Sequence, residues 1–259
     1  MDVSVLGFDD SGILEVKATS GNTFLGGEDF SRRLFEHFKR DICMKHHVDI
    51  SSLPKSELRL TRACEKLKKE MSQTTENVTI ELAQLLPDKE DYKLVMNRHE
   101  FDELCSDLFE LSMKTVDKVI DDAKITKEDL YSVILIGGST RMPKIKKLLS
   151  ERFPNVQINM SINPDEAVAC GAAIQAALLN GDSHTALEDI VLLDVTPLSL
   201  GTSVSGGLTR CVIPRNSIIP TSFSESFCTA SHYQTAMEID VIEGKFKLFN
   251  SNLTLIGVA

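Results

Sequence analysis

Apolar and polar residues recur with two different periods along this chain, and the change from one to the other divides it. Residues 2–8 and 13–19 are β-rich runs on either side of Asp9-Asp10-Ser11-Gly12, a sequence suited to a hairpin turn. After the glycines of LGGEDF the spacing becomes helical. Phe30, Leu34, Phe35 and Phe38 share one face, and Glu28 and Asp29 stand in the first turn, where carboxylates suit the helix dipole. A second helix is expected over 55–72, with Leu58, Leu60, Cys64 and Leu67 inward and a basic outer face. NVTIEL and YKLVM read as short strands about a turn at Pro87-Asp88. A long helix is expected from about Arg98 to Ala123, opened by a capping-box spacing between Asn97 and Glu100. Tyr131 to Ile136 is apolar nearly throughout, as in a strand covered on both faces. A basic amphipathic helix follows, and Pro164 opens a last helix of small residues.

The character changes near Asn180. NGDSHTALEDI is polar and punctuated like a linker, and VLLDVTPLSLG is apolar with a proline. Beyond it, SFSESFCTA and AMEIDVIEG alternate with period two. Five or six strands fit between 191 and 259, and no helix is expected past about 181. The pattern predicts an α/β module of about 180 residues, a linker and an all-β module. The β module reads as unfinished, and the α/β half as starting inside a strand.

Composition narrows the chemistry. A net charge of −10 argues against non-specific binding to DNA or anionic membranes, which needs a basic surface. No apolar run approaches the roughly 20 residues of a membrane helix, and the first residues lack the pattern of a secretory signal. The C-terminal residues carry no ER-retention sequence and no CaaX box. The cysteines at 43, 64, 105, 170, 211 and 228 form no CxxC pair and no finger spacing. Reduced thiols in the cytosol are expected. The His46-His47 doublet lies in a basic helix, and no metal role is assigned to it.

Four stretches carry candidate chemistry. In ILIGGSTRMPKIKKLL, Gly137 and Gly138 let backbone approach a ligand. Ser139 and Thr140 can cap the next helix, whose free N–H groups suit an anion or ribose. Arg141 can stack on a purine or pair with phosphate. A plain capped turn explains this stretch equally well, and it is not a Walker loop. In ACEKLKKEMS, Glu65, Lys68, Lys69 and Ser72 lie at i, i+3, i+4 and i+7, on one helical face that could hold a nucleoside. Taken alone, a solvated face with a salt pair is the better reading. Asp165 and Glu166 in a helix's first turn read first as dipole complementation. Gly26-Gly27 before a helix is a weak ribose or phosphate signal. No GxSxG, HExxH or Cys–His pairing is present, and Asp2, the one acid near a plausible phosphate strand, has no glycine cradle before it.

Together LGGEDF, ACEKLKKEMS, FDELCSDLF, ILIGGSTRMPKIKKLL, INPDEAVACGAAIQAALL and LLDVTPLSLG resemble, in this order and spacing, the 70-kDa heat-shock protein family of chaperones. The cytosolic members are the most similar. The resemblance covers essentially the whole chain and is strongest to about residue 201. It implies that residues 1–181 are the second lobe of an actin-like α/β ATPase domain. Residues 182–193 would be the interdomain linker, and 194–259 the N-terminal part of a β-sandwich that binds extended peptides.

The resemblance also implies roles for residues. Glu65, Lys68, Lys69 and Ser72 match the adenosine-binding helix. Gly138, Ser139, Thr140 and Arg141 match the loop under adenine and ribose, with Asp165 supporting it and Gly27 beside it. Lys69 stands where arginine is usual, keeping the charge but stacking less well. Phe227, Ala230, Met237 and Ile239 match the peptide groove, and Thr202 and Ser205 replace larger apolar groove residues. The implied cofactor is ATP or ADP, with Mg2+ in the full-length family. The implied partners are unfolded polypeptides, J-domain proteins and nucleotide-exchange factors, without nucleic acid or membrane. The implied location is the cytoplasm and nucleus. The family's glycine-rich phosphate strand and first-lobe catalytic lysine have no match here, so no catalytic or metal residue is assigned. The expectation is a heat-shock chaperone, serving stress response and protein folding, that does not hydrolyse ATP as this chain alone. The alternatives are a non-enzymatic module docking co-chaperones or exchange factors, and a product without function.

Overall fold

The computed structural model describes residues 1–8, 13–87, 91–181, 191–204, 208–244 and 253–258. The turn residues Asp9–Gly12, Asp88, the linker residues 182–190 and Ser205 lie outside the described residues. Contacts divide the chain into two units. One comprises Met1, Gly21–Asp117 and Thr126–Gly181; the other comprises Asp2–Ser20, Lys118–Ile125 and Asp182–Ala259.

The first unit is built on helix α1 (Gly27–His46) and helix α2 (Pro54–Met71), with the antiparallel hairpin β3 (Val78–Leu82) and β4 (Tyr92–Met96). Helix α1 starts where Asp29 accepts the Gly26 N–H at 2.8 Å and stops at His47, whose φ of 56° is left-handed. Phe30, Leu34, Phe35 and Phe38 are all buried, as the spacing predicts. They pack with Leu60, Cys64, Leu67 and Met71 of α2 and with Ile80 and Leu94 of the hairpin. Burying each large side chain contributes about 1.5–3 kcal/mol.

Leu58 departs from expectation: it is 52% exposed. At 100° per residue it lies about 200° from Leu60, so both cannot face one core. The expected long helix is two: α3 (Arg98–Leu104), opened by the Asn97–Glu100 capping box, and α4 (Ser106–Ala123). The break at Cys105 has a cause. Arg33 Nη1 donates to the Leu104 carbonyl at 3.1 Å, and the Leu108 N–H turns to the Cys105 carbonyl at 3.0 Å. A continuous helix would send that N–H to Leu104.

The strand expected over Tyr131–Ile136 shortens to β5 (Ser132–Ile134), paired in parallel with β6 (Gln157–Asn159). Tyr131, Ile134 and Ile136 are exposed and only Leu135 is buried. Among the described residues β5 has a single strand neighbour, so a strand covered on both faces does not form here. Helix α5 (Pro143–Arg152) follows. Helix α6 (Ala167–Leu179) begins after Pro164, Asp165 and Glu166, which form the turn before it rather than its first turn.

The second unit holds two sheets. One has the order β1 (Asp2–Phe8), β2 (Ile13–Gly21), β7 (Val191–Val195), β10 (Ile218–Ile219). Val191–Leu193, read in the sequence as the end of a linker, pair in parallel with Ile13–Glu15. The other sheet is antiparallel, ordered β12 (Leu253–Val258), β11 (Asp240–Gly244), β8 (Ser199–Val204), β9 (Leu208–Ile213). Val5, Ala18 and Val119 form a small core. Arg215 pairs with Asp122 near the end of α4.

Among the described residues six strands lie between 191 and 258, within the five or six expected, and no helix follows Leu179. SFSESFCTA does not form a strand. Phe223 is 63% exposed, Glu225 is ion-paired with Arg210, and among the described residues no strand pairs with this stretch. Among the described residues no helix is long and apolar enough to cross a membrane.

Candidate functional site

Three motifs far apart in sequence meet at Gly27 in the first unit. Gly27 is the first residue of α1. The Lys68 ammonium, reaching from α2, donates to the Gly27 carbonyl at 2.7 Å and to the Ser31 hydroxyl at 2.8 Å. A Cβ at Gly27 would stand 2.7 Å from Ser139 Oγ and 3.4 Å from Lys68 Nζ. Close approach, not backbone angle, is what a side chain would disturb here. Burial lowers the Lys68 pKa below its usual value; Glu65 and Glu28 oppose the shift and Lys69 adds to it.

The loop bearing Ser139 is shaped by two devices. Gly137 takes φ +89° and donates its N–H to the Pro164 carbonyl at 2.8 Å. Gly138–Arg141 is a 3-10 turn in which Thr140 Oγ1 donates back to the Gly137 carbonyl at 2.6 Å. Ser139 and Thr140 therefore do not cap α5. Its N-cap is Met142, without a side-chain bond, and Pro143 supplies a first residue with no N–H to satisfy. The exposed Ser139 hydroxyl has no hydrogen-bond partner among the described residues.

Arg141 Nη2 donates to Asp165 Oδ2 at 2.5 Å, with both side chains more than half exposed. A Cβ at Gly138 would lie 3.4 Å from Asp165 Oδ1, so Gly138, Arg141 and Asp165 form a second contact group. On α2, Glu65 and Lys69 pair with each other at 2.7 Å, which holds the Glu65 carboxyl below its usual pKa. Ser72 ends the helix, donating to the Lys68 carbonyl at 3.1 Å. Beside this cluster, an open hollow of about 340 Å³ is lined by Gly26, Gly27, Glu28, Asp29 and Arg32.

The structure thus brings Gly27, Lys68 and Ser139 together, joins Gly138, Arg141 and Asp165, and keeps Glu65 with Lys69. Ser31 was not among the sequence candidates, although its place four residues after Gly27 puts it one turn above on α1. In the second unit Phe227, Ala230, Met237 and Ile239 lie on irregular backbone between β10 and β11, and Met237 is 45% exposed. Thr202 is buried in β8. Among the described residues no three His, Cys, Asp or Glu side chains are grouped to hold a metal. The free Ser139 hydroxyl and the Lys68 ammonium do fit the hydroxyl-rich sugar of a nucleoside.

The fold defines an α/β protein with mixed sheets and helix-and-loop motifs gathered about a glycine. The Hsp70 protein family model matches residues 1–258. A heat shock 70 kDa protein of Neurospora crassa is 46% identical over 245 residues, covering 94% of this chain and 38% of its own length. Heat shock cognate 70 kDa protein 3 of Dictyostelium discoideum is 42% identical over 251 residues, covering 97% and 39%. A ribosome-associated molecular chaperone of Saccharomyces cerevisiae is 43% identical over 257 residues, covering 99% and 41%. The chain belongs to the Hsp70 family, and it spans about two-fifths of the length of these relatives.

Proposed function

We propose that this chain carries the adenosine side of an Hsp70-type ATP cleft, in a protein whose family work is ATP-dependent folding of polypeptides. The carrying observation is the meeting of Lys68, Ser139 and Gly27, three motifs converging where backbone is stripped of its side chain. In this reading residues 1–181 are the second ATPase lobe, 182–193 the linker and 194–259 the start of the peptide-binding sandwich. ATP or ADP would be held by Lys68 and Ser139 at the ribose and by Arg141, positioned by Asp165, against the base. Gly27 and Gly138 give room, Thr140 shapes the loop, and Glu65, Lys69 and Ser72 complete the helix face. In the family, hydrolysis of the nucleotide would drive the folding cycle; this reading gives this chain the binding alone. This chain's own residues bind and orient the nucleoside.

Phosphoryl transfer needs a phosphate cradle, metal ligands and a positioned water. In this reading the chain binds nucleotide without hydrolysing it alone, because the family's glycine-rich phosphate strand and first-lobe lysine have no match in the sequence. Phe227, Ala230, Met237 and Ile239 are the proposed contacts to unfolded polypeptide, and the cytoplasm is the proposed location.

A second reading has an observation of its own. Arg141 and Lys69 are already ion-paired with Asp165 and Glu65. A surface whose cations are so engaged suits a module that docks J-domain proteins or exchange factors without nucleotide. Calorimetric titration of the chain with ADP separates the two. The first reading expects a saturable heat that Arg141→Ala abolishes. No heat, with exchange-factor capture unaffected by Arg141→Ala, supports the second and overturns the first.

A further inference from the structure

Resting on the nucleotide reading, we infer that Ser31 is a positioning residue of this site, orienting the Lys68 ammonium so that one N–H remains for a ligand. An ammonium has three donors. Lys68 commits one to the Gly27 carbonyl and one to Ser31 Oγ, at 2.7 and 2.8 Å. Ser31 Oγ itself donates to the same Gly27 carbonyl at 3.3 Å. With its proton so used, the hydroxyl presents a lone pair to Lys68. Ammonium, hydroxyl and carbonyl close a three-membered ring of hydrogen bonds at the first turn of α1.

The arrangement has consequences for the lysine. A four-carbon stem is flexible and its head is a point charge, so direction must come from its acceptors. Two acceptors one helical turn apart fix the head between α1 and α2. Its remaining N–H serves a ligand beside the free Ser139 hydroxyl, which also borders Gly27. The charged groups around Lys68 are Glu65 and Lys69 on α2 and Glu28 on α1. None of them hydrogen-bonds its ammonium; Ser31 does. The acceptor also favours the charged lysine, against the burial that disfavours it.

The test compares Ser31→Ala with Ser31→Thr, which keeps the hydroxyl, in the full chain. Acylation of Lys68 by acetic anhydride, followed by mass spectrometry across pH 7–11, reads the ammonium without nucleotide. Ser31→Ala is expected to move the labelling midpoint to lower pH and speed labelling below it about fivefold, the worth of one hydrogen bond. Ser31→Thr should leave the profile in place. ADP titration should show affinity about fivefold weaker in Ser31→Ala, unchanged in Ser31→Thr, and no further loss when Ser31→Ala is added to Lys68→Ala. An unchanged Lys68 labelling profile in Ser31→Ala overturns the inference. A shifted profile in a chain that never binds ADP overturns the nucleotide reading instead, so the two failures are distinct.

Discussion

Gly27 shows how much one missing methyl group can matter. Its Cβ would stand 2.7 Å from Ser139 Oγ, closer than packed atoms approach. Alanine there makes Ser139 Oγ move, by rotation of its side chain or by a shift of its loop, at a cost of up to the roughly 1–3 kcal/mol of an overpacked contact. The same alanine without the hydroxyl has no such collision. Gly27→Ala should therefore lower the stability to urea, and the loss should largely vanish in a Ser139→Ala background. A coupling of at least about 0.5 kcal/mol in the double-mutant cycle is expected. Additive effects would show that the two residues do not touch. Glycine before a helix was legible in the sequence as a place of close approach. Its partner was not, because Ser139 lies 112 residues away and no spacing rule spans that distance.

At the scale of elements, helical periodicity held where the apolar face was local. Phe30, Leu34, Phe35 and Phe38 each lie four residues or fewer from the next, and all are buried. The Asn97–Glu100 cap forms for the same reason. The break at Cys105 was hidden because its cause is Arg33, 71 residues from the Leu104 carbonyl it binds. Arg33 also grips Asp107 through two bonds of 2.8 Å, and that hydrogen-bonded contact holds the Asp107 carboxyl below its usual pKa against a smaller effect of burial. A depressed carboxyl pKa contributes stability above the unfolded value of about 3.9, and that stability is lost as pH falls through the folded pKa. Asp107 is 62% exposed, so solvent screening limits the contribution to about 1 kcal/mol or less. Arg33→Ala should flatten this acid limb of the stability profile. It should also let the Leu108 N–H return to the Leu104 carbonyl, raising its protection from hydrogen exchange. An acid limb of unchanged steepness would contradict the assignment.

Over the whole molecule, the α/β character, the six late strands and the absence of helix past Leu179 among the described residues follow from periodicity and turn residues. The pairing of Val191–Leu193 with Ile13–Glu15 does not. A parallel ladder needs an open edge to receive it, and an edge is a property of the folded sheet. SFSESFCTA fails for the converse reason, having the alternation of a strand and, among the described residues, no strand to pair with. The candidate residues were legible as types in a certain order along the chain, and the Hsp70 family model covers the residues that carry them. Which residues touch came only from packing in the first unit. The central claim is that this packing makes an adenosine site. The most direct test is a backbone amide NMR titration with ADP. The account predicts saturable shifts at Gly27, at Glu65–Ser72 and at Gly138–Arg141. Shifts absent there, or confined to Asp240–Gly244 and the other strands of the second unit, would contradict it.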